Sequence, residues 1–291
     1  MTQSRTPLEG KVCLVTGATA GIGEATAHLL AELGATVVVH GRDPARTGRV
    51  VNTIKTATGN PRVDFLVADM ASQQQIRRLA ADFKARYSRL DILLNNAGGQ
   101  YRERQETPEG LEATFAVNHL GYFLLTNLLR DVLLESAPSR IVSVASGAHQ
   151  RATLDFADLQ ATGNYDMDLA YARSKLANIL FTYELARRLE STGVTANCLA
   201  PGLVMTEFGF KNGQDGVAWR QMVEERHGRS PADAAQWVVY VATAPELAGV
   251  TGKYFRDGQQ IASSPASYDE LAALRLWEIS KRLTGLQVAP R

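Results

Sequence analysis

The chain has 291 residues, 45% of them hydrophobic and 21% charged. Lys and Arg number 31 against 30 Asp and Glu, a formal net charge of +1, which speaks against a basic nucleic-acid binder. The length allows a sizeable core, and 24 Gly with 10 Pro are too few for a disordered or fibrous chain.

The first expected strand, 11–16, leads through Thr16-Gly17-Ala18-Thr19-Ala20-Gly21-Ile22-Gly23 into a helix over 22–33. Glycines at this junction permit a tight turn and close backbone approach to a bulky anion. A helix N-terminus adds free N–H groups and partial positive charge, so a dinucleotide pyrophosphate fits here. A second strand, 35–40, ends at His40-Gly41-Arg42-Asp43. An acid at this place hydrogen-bonds the 2′-hydroxyl of NAD, whereas arginine suits the 2′-phosphate of NADP. Gly41 stands where the acid is sought, and Arg42 follows it; Asp43 is placed either to neutralise Arg42 or to reach a ribose.

A helix over 44–58, a strand over 62–68, a helix over 72–87 and a strand over 90–94 continue the rhythm. A long helix is expected over 108–136, then a strand over 139–145 that ends beside Ser146. Ligands of parallel sheets bind beyond the carboxyl ends of strands, which favours Ser146 over the interior Ser143. The helix expected over 168–190 carries Tyr171 and Lys175 at i and i+4, on one face. A neighbouring ammonium favours phenolate and moves a tyrosine toward acid–base use near neutral pH. Arg187, Arg188 and Glu190 on this helix read as solvated.

The remaining expected elements are a strand over 193–199, a helix over 231–243, a strand over 252–256 and a C-terminal helix over 267–284. Between them, 203–230 is polar and glycine-containing and reads as a mobile segment covering the substrate. In the last helix, Leu271, Leu274, Trp277 and Ile279 suit packing on the body or on a second copy, so a homo-oligomer is one option. The strands are continuous apolar runs, as expected for a parallel sheet covered on both faces. Alternation without a linker implies one α/β domain over 1–291, a doubly wound parallel sheet with helices on both faces.

Cys13 and Cys198 lie in such apolar runs and read as small buried hydrophobes. No apolar run is long enough for a membrane anchor, so a cytoplasmic protein is expected. The five histidines form no metal-binding pattern; His149 reads as a loop histidine, with a place at the substrate mouth as the alternative, and Arg102 and Arg104 read as solvated in a loop near the expected pocket.

Together these positions resemble the short-chain dehydrogenase/reductase family over essentially the whole chain. The carrying motifs are TGATAGIG at 16–23, Asp69, Asn95-Asn96-Ala97-Gly98, Asn118, Ser146, YARSK at 171–175, and Pro201-Gly202 with Thr206. The resemblance implies a Rossmann-type fold and a catalytic tetrad. Tyr171 is then the general acid/base, Lys175 its pKa modulator and ribose ligand, Ser146 the carbonyl-orienting hydroxyl, and Asn118 the residue that steadies a water. It also implies cofactor contacts from Gly17, Gly21, Ile22, Gly23, Asp69, Met70, Asn95, Ala97, Pro201 and Thr206, beside Arg42. Ala145 departs from the family, where a second serine is usual. The longer stretch between Ser146 and Tyr171 is similar to the retinol dehydrogenase-like branch. The implied activity is NADP(H)-dependent interconversion of a small lipophilic aldehyde or ketone and its alcohol, with no nucleic acid and no metal. The alternative is a cofactor-bound regulator without catalysis, which should have lost Tyr171, Lys175 or Ser146. A nucleotide-sugar epimerase is disfavoured by the TGxxxGxG spacing.

Overall fold

The computed structural model describes residues 6–206, 221 and 223–287. Eight strands form one sheet in the order β3-β2-β1-β4-β5-β6-β7-β8. They are β1 Val12–Val15, β2 Thr36–Gly41, β3 Val63–Val67, β4 Ile92–Asn95, β5 Ser139–Val144, β6 Val194–Ala200, β7 Tyr254–Arg256 and β8 Gln259–Gln260. All neighbours pair in parallel except β7 and β8, whose antiparallel hairpin forms the sheet edge. The strand order reverses between β1 and β4, and a crevice opens there beyond the carboxyl ends of both strands.

Both faces of the sheet are covered. Cys13, Val15, Val37 and Val39 pack under α1 (Gly21–Glu32), α2 (Pro44–Thr58) and, nearer β5, α8 (Pro231–Thr243). Their neighbours Leu14 and Val38, with Leu93 and Ile141, face α3 (Gln73–Arg86), α5 (Gly121–Leu128) and α7 (Met167–Arg188). Apolar side chains thus alternate between two buried layers, which explains the lack of polar alternation in the sequence. Cys13 and Cys198 are fully buried, and burial pushes both thiols well up.

Most helices begin on a capping side chain: Asp43 for α2, Ser72 for α3, Asp166 for α7, and a reciprocal Ser230–Asp233 box for α8. The α1 helix differs, because the methyl side chain of its cap residue Ala20 cannot accept a hydrogen bond. Its first-turn amides face the crevice instead.

The long helix expected over 108–136 is three α segments and a π turn. A short α4 (Ala113–Phe115) runs into a π turn, Ala116–Leu120, and then α5; α6 (Arg130–Glu135) restarts after a break at Leu129. Its start is delayed because buried Glu112 caps it, accepting from the Thr114 and Phe115 amides. The C-terminal helix α9 spans Glu270–Thr284 with Asp269 as its cap, after a 3₁₀ turn at Pro265–Tyr268.

Trp277 of α9 is buried against Phe123 and Phe181, while Leu271 is 79% exposed. The expected solvation of Arg187 and Arg188 is corrected by Glu184. That carboxylate is fully buried and accepts from Arg187 Nε at 2.9 Å and Arg188 Nε at 2.6 Å. Arg188 also lies over the Trp277 ring, so the pair bolts α9 to α7. Arg104 is likewise anchored, donating to the Gln160 carbonyl and to Glu106, whereas Arg102 is exposed.

Candidate active site

The crevice is a cleft of about 450 Å³ lined by three groups of residues. Gly17, Gly21, Ile22 and Gly23 form its floor near α1, with Arg42, Asp69 and Met70 to one side. Ala97, Ser146, Tyr171, Lys175, Pro201 and Thr206 complete it.

The glycine cradle is built by close approach. Gly17 and Gly21 have positive φ, and a Cβ on Gly17 would lie 2.7 Å from the Ala97 Cα. A Cβ on Gly23 would lie 2.4 Å from both Asn96 Nδ2 and the Gly17 carbonyl oxygen. Side chains there would push Ala97 and Asn96 away and open the tight loop in front of α1, so glycine keeps the backbone close and the residues fit a dinucleotide pyrophosphate.

Sequence reasoning missed two residues that hold this loop. His40 accepts from the Gly17 N–H at Nδ1, 3.2 Å away, and therefore donates from Nε2 to the Ala68 carbonyl at 3.0 Å. Burial of this neutral ring pushes its pKa down to about 4. Asn96 donates to the Thr16 and Gly17 carbonyls, tying the loop to the end of β4.

Asn95 is a correction. It ends β4 with its side chain in the buried layer, donating to Thr126 Oγ1 at 3.0 Å, and does not line the cleft. Consecutive strand residues face opposite sides, so Asn96 takes the cleft position. Asp43 is committed to α2, where its Oδ1 accepts the Arg46 N–H at 2.7 Å; Arg42 remains exposed at the cleft.

At the other end, β5 delivers Ser146 and α7 delivers Tyr171 and Lys175. Ser146 caps a 3₁₀ turn, Gly147–Arg151, and its Oγ accepts from the Ala148 N–H at 3.2 Å. Lys175 is buried and donates to the Val144 carbonyl at 2.9 Å, with Nζ 5.6 Å from the Tyr171 ring centroid. Burial pushes the Tyr171 phenol up to about 12, opposed by its hydrogen bond to Ser146 and by the Arg151 charge. Burial likewise brings Lys175 down to about 7. The expected lowering of Tyr171 by Lys175 is therefore not the dominant effect in the cleft. Removing both groups from water outweighs their proximity.

The fourth expected residue is Asn118. It sits in the π turn, fully buried, outside the cleft lining. Its Oδ1 accepts the Gly99 N–H, and its Nδ2 donates to the Gly99 carbonyl and to Ser174 Oγ. It joins the loop after β4 to the residue preceding Lys175.

Of the expected cover over 203–230, residues 207–220 and 222 lie outside the described residues. Its two described ends meet, since Val204 and Arg229 form a bridge and Arg229 pairs with Asp257 at 2.6 Å. Thr206 sits over Gly21, its Cγ2 3.0 Å from where a Cβ would stand. No described helix is long and apolar enough to cross a membrane.

A doubly wound sheet, a glycine cradle at its switch point, and a serine, tyrosine and lysine gathered beyond it define the class. The short chain dehydrogenase family model matches residues 11–215, and the chain belongs to that family of oxidoreductases, which act on CH–OH and C=O groups. It is 43% identical to human retinol dehydrogenase 13 over 98% of this chain and 87% of the relative. It is 42% identical to mouse polyprenol dehydrogenase over 96% of this chain and 85% of the relative. Among solved structures, it is similar to a short chain dehydrogenase from Burkholderia cenocepacia in complex with NADP. That likeness has a TM-score of 0.70 at 30% identity, covering 86% of this chain and 96% of the other.

Proposed function

We propose that this protein is an NADP(H)-dependent oxidoreductase that interconverts a lipophilic aldehyde or ketone and its alcohol. The observation that carries the reading is one cleft with Arg42 at one end and Ser146, Tyr171 and Lys175 at the other. Relatives named retinol dehydrogenase and polyprenol dehydrogenase support a lipophilic alcohol as substrate. NADP in the Burkholderia relative supports the cofactor choice. The reading places the enzyme in the cytoplasm, consistent with two unpaired buried cysteines.

The cleft would hold a nicotinamide that would supply or accept the hydride at the substrate carbon. Tyr171 holds the proton that moves to or from the substrate oxygen, and its raised pKa keeps the phenol protonated in the resting cleft. Ser146 donates a second hydrogen bond to that oxygen and fixes its orientation. Lys175 faces Tyr171 across 5.6 Å and favours the phenolate whenever its amine is charged. Asn118 works as a joint, holding the Gly99 loop against α7 through its amide. Gly17, Gly21, Ile22, Gly23 and Ala97 would hold the pyrophosphate and ribose, Asp69 and Met70 would serve the adenine, and Pro201 and Thr206 would serve the nicotinamide.

Tyr171→Phe keeps the ring and removes the transferable proton. Turnover with NADPH and a good aldehyde substrate should fall by at least ~10², with NADPH affinity retained. Near-normal turnover in this variant would refute the mechanism.

A further inference from the structure

His149 lies three residues beyond Ser146 and is fully buried. Its ring is held at both nitrogens. The Ser264 backbone N–H donates to Nε2 at 3.1 Å, so Nε2 carries no proton. The proton is on Nδ1, which donates to the Ser146 carbonyl oxygen at 2.7 Å. The same carbonyl receives only one other donor from the turn, the His149 N–H at 3.2 Å. The ring therefore supplies the shorter of the two bonds that fix the Ser146–Gly147 peptide. The orientation of that peptide sets where Ser146 Oγ points and where the Ala148 N–H meets it.

The other side of the ring leads into the C-terminal segment. Ser264 is buried, and its carbonyl accepts from Ser267 Oγ at 2.6 Å. Ser267 Oγ lies 2.6 Å from Ser263 Oγ, which lies 2.8 Å from the Tyr183 hydroxyl. Tyr183 is on α7, the helix that carries Tyr171 and Lys175. A chain of hydrogen bonds thus joins the serine turn, the C-terminal segment and the tyrosine helix. None of Ser263, Ser264 and Ser267 lines the cleft.

We propose that His149 is a positioning residue: its neutral, Nδ1-protonated imidazole locks the backbone of Ser146 and makes the C-terminal segment part of the catalytic apparatus. The proposal rests on Ser146 acting on the substrate oxygen, as described under the proposed function. Its effect is on geometry at the reacting end, where a displacement of about 1 Å costs on the order of 10² in rate.

A double-mutant cycle on kcat, with NADPH and a reducible aldehyde, separates this from mere structural support. His149→Leu fills the space without a hydrogen bond and should lower kcat at least about tenfold, leaving the NADPH Kd within about twofold. His149→Asn retains a donor toward the Ser146 carbonyl and should recover part of the loss. Ser264→Pro replaces the N–H that sets the tautomer with a ring carbon that would press on Nε2 3.1 Å away, so it should displace the imidazole and also lower kcat. In the Ser146→Ala background, His149→Leu should add little further loss.

If His149→Leu lowers kcat by the same factor in both backgrounds, the positioning role is overturned. Unchanged kcat in His149→Leu or in His149→Asn with its NADPH affinity weakened also overturns it. Should His149→Leu not fold, the His149→Asn and Ser264→Pro cycles against Ser146→Ala decide by the same criterion. A fully active Ser146→Ala is a different outcome: it would remove the serine's role in the proposed function, and with it the premise of the proposal.

Discussion

The two ends of the cleft are built by opposite means. At the pyrophosphate end the protein presents backbone: glycines without side chains and helix amides without a capping side chain. At the reacting end it presents side chains, and burial has moved two of them far from their ordinary ionisation. A backbone site tolerates little added volume, because a single methyl would collide with Ala97 or Asn96. A side-chain site depends instead on long-range hydrogen bonds that set each group's angle. Both ends are supported by a buried neutral histidine: His40 beneath the glycine loop and His149 behind the serine.

Lys175 is where this contrast should break down, because it is assigned to both ends. Lys175→Met should lower turnover by at least ~10² and also weaken NADPH binding, as read by steady-state kinetics and fluorescence titration. Loss of turnover with unchanged NADPH affinity would confine Lys175 to the reacting end.

Buried neutral histidines, His40 among them, make the fold sensitive to acid. His40 has a folded pKa of about 4 and His119, buried among Phe115, Phe123 and Phe181, of about 3, both below the ordinary 6.5. The unfolded chain therefore takes up these protons first. The stability they contribute is full above pH 6.5 and is lost as pH falls toward 4, on the order of 3 kcal/mol for His40 alone. The urea midpoint of the ligand-free protein should drop between pH 6.5 and pH 4.5. A flat midpoint across this window would contradict neutral, buried histidines.

Arg42 sharpens the comparison from the cofactor side, since it is a side chain at the backbone-built end. A charge-assisted contact to a 2′-phosphate contributes about 1.5–3 kcal/mol, or roughly 10- to 150-fold in affinity. Arg42→Ala should weaken NADPH by that factor and NADH much less, as measured by titrating both cofactors. The upper part of the range is favoured because Asp43 is occupied as the α2 cap. Equal losses for both cofactors would contradict the NADP assignment.

Much of the cofactor end was legible because it depends on local order. Gly17, Gly21 and Gly23 fall at fixed spacing after an apolar strand, and their conformations follow from a short stretch of chain. Tyr171 and Lys175 were legible for the same reason, being one helical turn apart. Asn95 was misread because two adjacent asparagines have the same chemistry. Only the pleat of β4 decides which of them faces the cleft. Arg187 and Arg188 read as solvated because the carboxylate that claims them is buried, and burial is invisible in a one-dimensional pattern.

The sequence by itself determined the alternation of elements, the doubly wound sheet and the loop that suits a phosphate, since each follows from period, glycine placement and neighbouring residues. The tertiary structure alone decided the break of the expected long helix into three α segments and a π turn, the burial that outweighs the proximity of Tyr171 and Lys175, and the hydrogen bonds of His149. Each of these depends on contacts between residues far apart in sequence. The Ser264 amide reaches His149 across 115 positions, and only folding brings them together.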